Sequence, residues 1–124
     1  MILVDTSVWI DYVRGVPRAR PLADHLEVNE VLVHPFVRGE LALGRVSAAA
    51  ATVLESLELL PSLRPVADDE VLAMVKERRL AGSGIGWVDA HLLAAALAAE
   101  ADLWTFDRRL AHVAAARGMA FTPS

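Results

Sequence analysis

The sequence predicts an α/β domain built on a largely parallel sheet, and two observations carry that reading. Short apolar or β-branched runs alternate with longer runs in which apolar residues recur at helical spacing. The chain of 124 residues is 55% hydrophobic and has no cysteine, enough for one core that needs neither a disulfide nor a thiolate-bound metal. The expectation is a single domain over residues 1–124.

Ile2 to Val4 is short and apolar throughout, as a strand buried on both faces should be. A helix follows from Thr6 or Ser7 to Val13 and stops at Gly15 and Pro17. Arg20 to Glu27 reads as a second helix and Val31 to His34 as a second strand. Pro35 suits a first helical turn, so Phe36 to Leu43 forms a helix that ends at Gly44. Between Ser47 and Leu60, the residues Ala50, Val53, Leu54, Leu57 and Leu60 share one helical stripe, with Glu55 and Glu58 outside it. Pro61 closes that helix, and Leu63 to Val66 is a further short strand. Asp68, Asp69 and Glu70 give a negative first turn to a helix running to Leu80. The loop from Gly82 through Gly84 to Gly86 supplies hinge freedom before a helix from Trp87 to Ala101. Leu103 to Phe106 is a strand, with Trp104 in the core. Arg108 to Arg117 is a helix closed by Gly118, and Met119 to Phe121 is a last edge strand.

The absence of cysteine excludes thiol catalysis, zinc knuckles and iron–sulfur clusters, and it fits a reducing compartment. Any metal must be held by oxygen or imidazole. Sixteen acidic against twelve basic residues give a net charge of −4, which argues against a general nucleic-acid coat protein but leaves room for a local basic rim. The apolar opening before Asp5 is too short for a signal peptide, and the run from Leu92 to Ala99 is too short to span a bilayer. A soluble, cytoplasmic protein is expected.

Four acids occupy meaningful places. Asp5 follows the first strand and Asp107 follows the strand ending at Phe106, so both should emerge on the carboxyl edge of a parallel sheet, where such folds place their sites. Each also sits where an Asp caps a helix. Glu40 lies beside the apolar face that Phe36 and Val37 define; its plain alternative is a lone snorkelling acid or one salt-bridged to Arg38 or Arg45. Asp89 precedes Leu92 and Leu93 by one turn and should project at the edge of the buried stripe, or else simply complement the helix dipole. If all four share one cleft, like charges about 4 Å apart repel by roughly 4 kcal/mol per pair at an effective dielectric of 20. Some must then stay protonated, or a hard cation must neutralise them; oxygen ligands favour Mg²⁺ or Mn²⁺.

The segment from Val4 to Ile10, Glu40, Trp87-Val88-Asp89-Ala90 and Thr105-Phe106-Asp107 together resemble a PIN-domain ribonuclease, and more narrowly the VapC toxins of type II toxin–antitoxin pairs. The likeness extends over essentially the whole chain. It implies a three-layer fold with a central five-stranded parallel sheet flanked by helices. It also implies catalytic, metal-holding acids at Asp5, Glu40, Asp89 and Asp107, with hydroxyls of Thr6, Ser7 and Thr105 orienting a carboxylate or water. The implied chemistry is endonucleolytic RNA hydrolysis with Mg²⁺ or Mn²⁺, a metal-activated water attacking phosphorus to leave a 5′-phosphate. The RNA would meet a rim drawn from Arg14, Arg18, Arg38, Arg108 and Arg109. A cognate antitoxin segment would lie in an apolar groove, for which Trp9, Tyr12 and Val13 with Leu54 and Leu57 are the candidates; the same residues equally suit ordinary core. A homodimer or a toxin–antitoxin hetero-oligomer is implied as well.

Other signals are set aside. The glycines at 82, 84 and 86 follow a helix and lack a phosphate-loop ending. Of the four histidines only His91, near Asp89, draws notice, as a residue at the surface or just behind the acids. A haloacid-dehalogenase phosphatase needs a second Asp where Ser7 stands, and a receiver domain needs a Lys after a late strand, whereas Lys76 is inside a helix. The remaining rival is a catalytically silent module that keeps the fold and binds RNA or antitoxin.

Overall fold

Strands Ile2–Val4 (β1), Val31–Leu32 (β2) and Asp102–Trp104 (β3) form a parallel sheet in the order β2-β1-β3 in this computed structural model, which describes residues 1–44 and 47–123. Central β1 is buried along its whole length, as its unbroken apolar run requires. It pairs Ile2 with Val31 and Asp102, Leu3 with Leu32 and Leu103, and Val4 with Trp104.

The expected five strands reduce to three, with one isolated parallel bridge on each edge, Val33 to Ser62 and Leu103 to Ala120. Val33 N donates to Pro61 O at 3.0 Å and Leu63 N to Val33 O at 2.9 Å; Leu103 N donates to Met119 O at 2.8 Å and Phe121 N to Leu103 O at 2.9 Å. Prolines explain why neither edge extends. Pro61 and Pro65 bracket one segment and Pro123 follows the other; a proline offers no donor and restricts the residue before it.

Helices Thr6–Val13 (α1), Leu22–Glu27 (α2), Pro35–Leu43 (α3), Ala48–Ser56 (α4), Asp68–Glu77 (α5), Trp87–Ala98 (α6) and Arg108–Ala115 (α7) surround the sheet. The second helix is shorter than its reading because Pro17–Ala19 forms a separate 3-10 turn and Pro21 precedes α2. The helix read to Leu60 ends at Ser56 and passes through the 3-10 turn Leu57–Leu59, since Leu60 is forced extended by Pro61. Likewise α5 and α6 stop early, with Arg79 and Glu100 taking the left-handed conformation at φ 55° and 53°. Helices α1, α3 and α4 pack together, α5 packs on α6, and α6 and α7 lie against β3. In α6 every residue from Ala90 to Ala96 is buried, because small alanines allow close approach on several sides. No helix among the described residues is long and apolar enough to cross a membrane.

His34, expected to end a strand, instead caps α3: its Nδ1 accepts from Phe36 N at 3.0 Å. The ring is fully buried, and burial, followed by the neighbouring His91, lowers its pKa to about 4. The folded state therefore binds this proton less readily than the unfolded chain, for which the ordinary value is 6.5. Stability is unaffected above pH 6.5 and is lost as pH falls from 6.5 through 4, by up to roughly 3 kcal/mol from this group. Urea unfolding at pH 7 and pH 4.5 checks this: His34→Asn, which keeps a capping acceptor, is expected to lose less stability over that interval than the wild-type chain.

Candidate active site

At the carboxyl edge of the sheet, Asp5 N donates to Trp104 O at 2.9 Å, tying the ends of β1 and β3 together. Asp5 is 6% exposed and caps α1 through Oδ1, which accepts from Thr6 N at 2.8 Å. Its other oxygen, Oδ2, accepts from Thr105 Oγ1 at 2.7 Å and from Ser7 Oγ at 3.1 Å. Those hydroxyls in turn accept from the backbone: Phe106 N donates to Ser7 Oγ at 3.0 Å and Asp107 N to Thr105 Oγ1 at 3.0 Å. Two amides of the turn into α7 are thus clamped, through two hydroxyls, onto one buried carboxylate oxygen. Removing one hydroxyl strands an amide, a loss worth about 1–3 kcal/mol when the group is shielded from water. Ser7→Ala is accordingly expected to lower unfolding free energy by about 1–2 kcal/mol in urea titration.

Glu40, on the exposed side of α3, accepts from Thr6 Oγ1 at 2.8 Å, so the residue after Asp5 holds an acid 34 positions away. Of the two arginines weighed for it, Arg38 is turned to Glu58, its Nη2 lying 3.6 Å from Glu58 Oε1, and Arg45 lies outside the described residues. Asp89 is in the first turn of α6 and accepts from Gly86 N at 3.1 Å through Oδ2. Asp107 caps α7, its Oδ1 accepting from Leu110 N at 3.0 Å. Capping and site geometry therefore coincide at Asp5 and Asp107. Among the described residues, Glu40 Oε2, Asp89 Oδ1 and Asp107 Oδ2 accept no hydrogen bond, leaving each of these acids one oxygen for a ligand.

The four charges share a field. Burial raises the pKa of Asp89; the Gly86 amide opposes this, and Asp5, Asp107 and Glu40 raise it further. None of the four is in an ion pair among the described residues, whose pairs are Arg18–Asp11, His25–Glu30, Arg38–Glu58 and His91–Asp68. No three His, Asp or Glu side chains among the described residues stand close enough to enclose a metal ion. The donor set nevertheless fits Mg²⁺ or Mn²⁺, because it is all oxygen, lacks a cationic partner among the described residues, and such ions bind through one or two carboxylates with several waters retained.

The arginines read as an RNA rim divide. Arg18 is bound to Asp11 at 2.6 Å and lies over Phe106. The side chain of Arg109 crosses Gly84, where an added Cβ would meet its Cδ at 2.6 Å; Gly84 has φ +87°, so only glycine sits there without strain. Arg14 borders a cavity of about 310 Å³ that also has Val13, Ile10 and Glu40 in its wall. Arg108 is exposed on the first turn of α7.

The apolar groove expected of Trp9, Tyr12, Val13, Leu54 and Leu57 is not one surface. Trp9 and Leu57 are core residues, 1% and 2% exposed, with Tyr12 half-buried edge-on against Trp9. Val13 lines the cavity beside Glu40, whereas Leu54 and Leu57 line a second one of about 500 Å³ between α3 and α4. His91, expected at the surface or just behind the acids, is 1% exposed, packed by the rings of Phe36 and Trp87 at 4.9 and 4.7 Å. Its Nε2 lies 3.0 Å from Asp68 Oδ1 without the alignment of a hydrogen bond. Two contributions escaped the sequence reading: the Gly86 amide that steadies Asp89, and Asp11, which fixes Arg18. A glycine three residues before a first-turn acid is a usable signal for the former; the latter, seven residues apart across a turn, leaves none.

Comparison with known proteins agrees with this architecture. The PIN domain family model matches residues 2–116. Ribonuclease VapC32 of Mycobacterium tuberculosis is 47% identical over 121 residues, 97% of this chain and 95% of that protein. The crystal structure of PAE2754 from Pyrobaculum aerophilum superposes with a TM-score of 0.63 at 23% identity, covering 90% of this chain and 83% of that one. FitAcB from Neisseria gonorrhoeae gives 0.63 at 22% identity, with 93% and 94% covered. At such identities these two structures speak to the fold alone. The match over nearly the whole chain shows that this protein belongs to the PIN-domain family.

Proposed function

We propose that this chain is the toxin of a type II toxin–antitoxin pair, a single-domain cytoplasmic endoribonuclease that uses Mg²⁺ or Mn²⁺ held among Asp5, Glu40, Asp89 and Asp107, one or two of them bonded to the ion and the others reaching it through its waters. The observation that carries the reading is the common field of those acids on Asp89 with no cation paired to any of them among the described residues. The 47% identity to a protein named a ribonuclease supports it along the whole length.

A divalent cation bound there supplies Lewis acidity toward the phosphoryl oxygens and lowers the pKa of a water. The chain's own groups do the rest. Asp5 is the fixed ligand, since three hydrogen bonds hold it. Asp89, Asp107 and Glu40 offer the oxygens that no donor occupies, and Thr6 keeps Glu40 turned toward the strand end. Hydrolysis adds water at phosphorus and releases the 3′-oxygen of the preceding nucleotide, leaving a 5′-phosphate. Arg108, beside Asp107 at the start of α7, is placed to meet a flanking phosphate. The antitoxin segment would enter the cavity walled by Val13 and Glu40, next to the acids it must silence; the toxin itself would pair as a homodimer.

The test incubates purified protein with single-stranded and structured RNAs in Mg²⁺, Mn²⁺ or EDTA, beside Asp5→Asn. Cutting that needs the ion and vanishes in the variant supports the reading. Binding without cutting across the panel would replace it with the silent module.

A further inference from the structure

Arg18 is anchored on two sides. Its Nε donates to Asp11 Oδ2 at 2.6 Å, and its guanidinium carbon stands 4.0 Å from the centre of the Phe106 ring. Together these contacts hold the cation over the aromatic face. The side chain is still 59% exposed, and its terminal nitrogens donate to no group among the described residues. Phe106 is itself held, through its amide on Ser7 Oγ, to the buried carboxylate of Asp5, and the next residue is Asp107. A planar cation, more than half exposed and backed by an aromatic ring, is thus connected to the carboxylate cluster by two hydrogen bonds.

An exposed ion pair adds little to stability, so folding gains little from this arrangement. A phosphate clamp is also a poor account, because Asp11 cancels most of the charge that a phosphate would seek. Stacking survives that cancellation. Guanidinium planes stack on unpaired bases, and single-stranded RNA is bound in this way. We infer that Arg18 is a substrate-binding residue whose outer face receives a nucleobase of single-stranded RNA flanking the cleaved phosphodiester, with Phe106 backing it and Asp11 as the positioning residue. The inference rests on the ribonuclease reading above and adds a base contact to it.

The test measures kcat and KM of wild-type and Arg18→Lys protein on a single-stranded RNA oligonucleotide and on a set carrying one abasic nucleotide at each position around the cleavage point. Lysine keeps the charge and removes the plane. In the wild-type protein, one abasic position is expected to raise KM by roughly 5- to 100-fold with kcat little changed, the range stacking supports. Arg18→Lys should raise KM on intact RNA by a similar factor, become indifferent to that one position, and keep its thermal midpoint within about 2 °C. Asp11→Asn should fall between the two. If wild-type protein cuts RNA but Arg18→Lys matches it, or remains as sensitive to every abasic position, the stacking site is overturned while the nuclease reading stands. A phosphate role is indicated instead, and the inference fails, if Arg18→Ala lowers the salt slope by about one with all abasic substrates alike. Absence of cutting by the wild-type protein overturns both together.

Discussion

Asp5→Asn is expected to lower RNA cleavage by about a thousandfold or more while the chain stays folded. The substitution removes the charge at the one acid of the cluster that is buried and hydrogen-bonded on both oxygens. An amide nitrogen in place of Oδ2 would face the hydroxyls of Ser7 and Thr105. Each hydroxyl already accepts one backbone amide and has a second lone pair, so both can turn from donating to accepting. The cost to stability is then about 1 kcal/mol. Cleavage rates and urea unfolding on the same preparation check both halves. The contrast with Ser7→Ala is informative, because that variant strands the Phe106 amide and should lose stability while retaining all four acids.

Asp89→Asn should behave in the opposite sense on stability and in the same sense on activity. The Asp89 carboxyl is raised from its usual range, first by burial and then by Asp5, Asp107 and Glu40, with the Gly86 amide pulling the other way. A raised acid favours the folded state when protonated, so its ionisation destabilises the fold as pH climbs from the ordinary carboxyl range through the raised value. Above that raised value the full penalty is in force. Asparagine removes it and keeps an oxygen for the Gly86 amide, so in EDTA at such pH the variant should melt above the wild-type protein. Cleavage should fall by about a thousandfold. Mn²⁺ at a hundred times its dissociation constant should stabilise the wild-type protein by about 2.7 kcal/mol and the variant by distinctly less. Thermal melts with and without Mn²⁺ provide the check; a variant less stable than wild type in EDTA contradicts the shared-field account.

Much of the site was legible because parallel strands point their carboxyl ends one way: Asp5 and Asp107 could be placed on one edge although about a hundred residues separate them. The capping and site readings of those residues looked like alternatives in one dimension. In three they use different oxygens, at Asp5 one for the Thr6 amide and one for two hydroxyls. What stayed hidden depends on groups that meet only after folding. The Thr6–Glu40 bond joins α1 to α3, and no spacing announces it. Of the two places read for His91, the surface is excluded, because Phe36 and Trp87 close over a second face of α6. Trp9 suited a groove or the core equally well in the sequence; it sits one turn inside α1, where Val8 and Trp9 are both buried, and the core reading is the one observed. At the sheet edges the apolar runs were real, but prolines, which remove donors without breaking hydrophobicity, limited each to a single bridge.

The most direct measurement is the anomalous scattering of Mn²⁺ soaked into crystals of the Asp5→Asn and wild-type proteins. In the wild-type crystal, a peak should appear bonded to Asp5 and to at least one of Asp89, Asp107 and Glu40, at about the 2.0–2.2 Å of hard-cation oxygen bonds. It should be missing from the variant. A peak elsewhere, or none at Mn²⁺ concentrations that support cleavage, would contradict the claim that these carboxylates are gathered to hold a divalent ion.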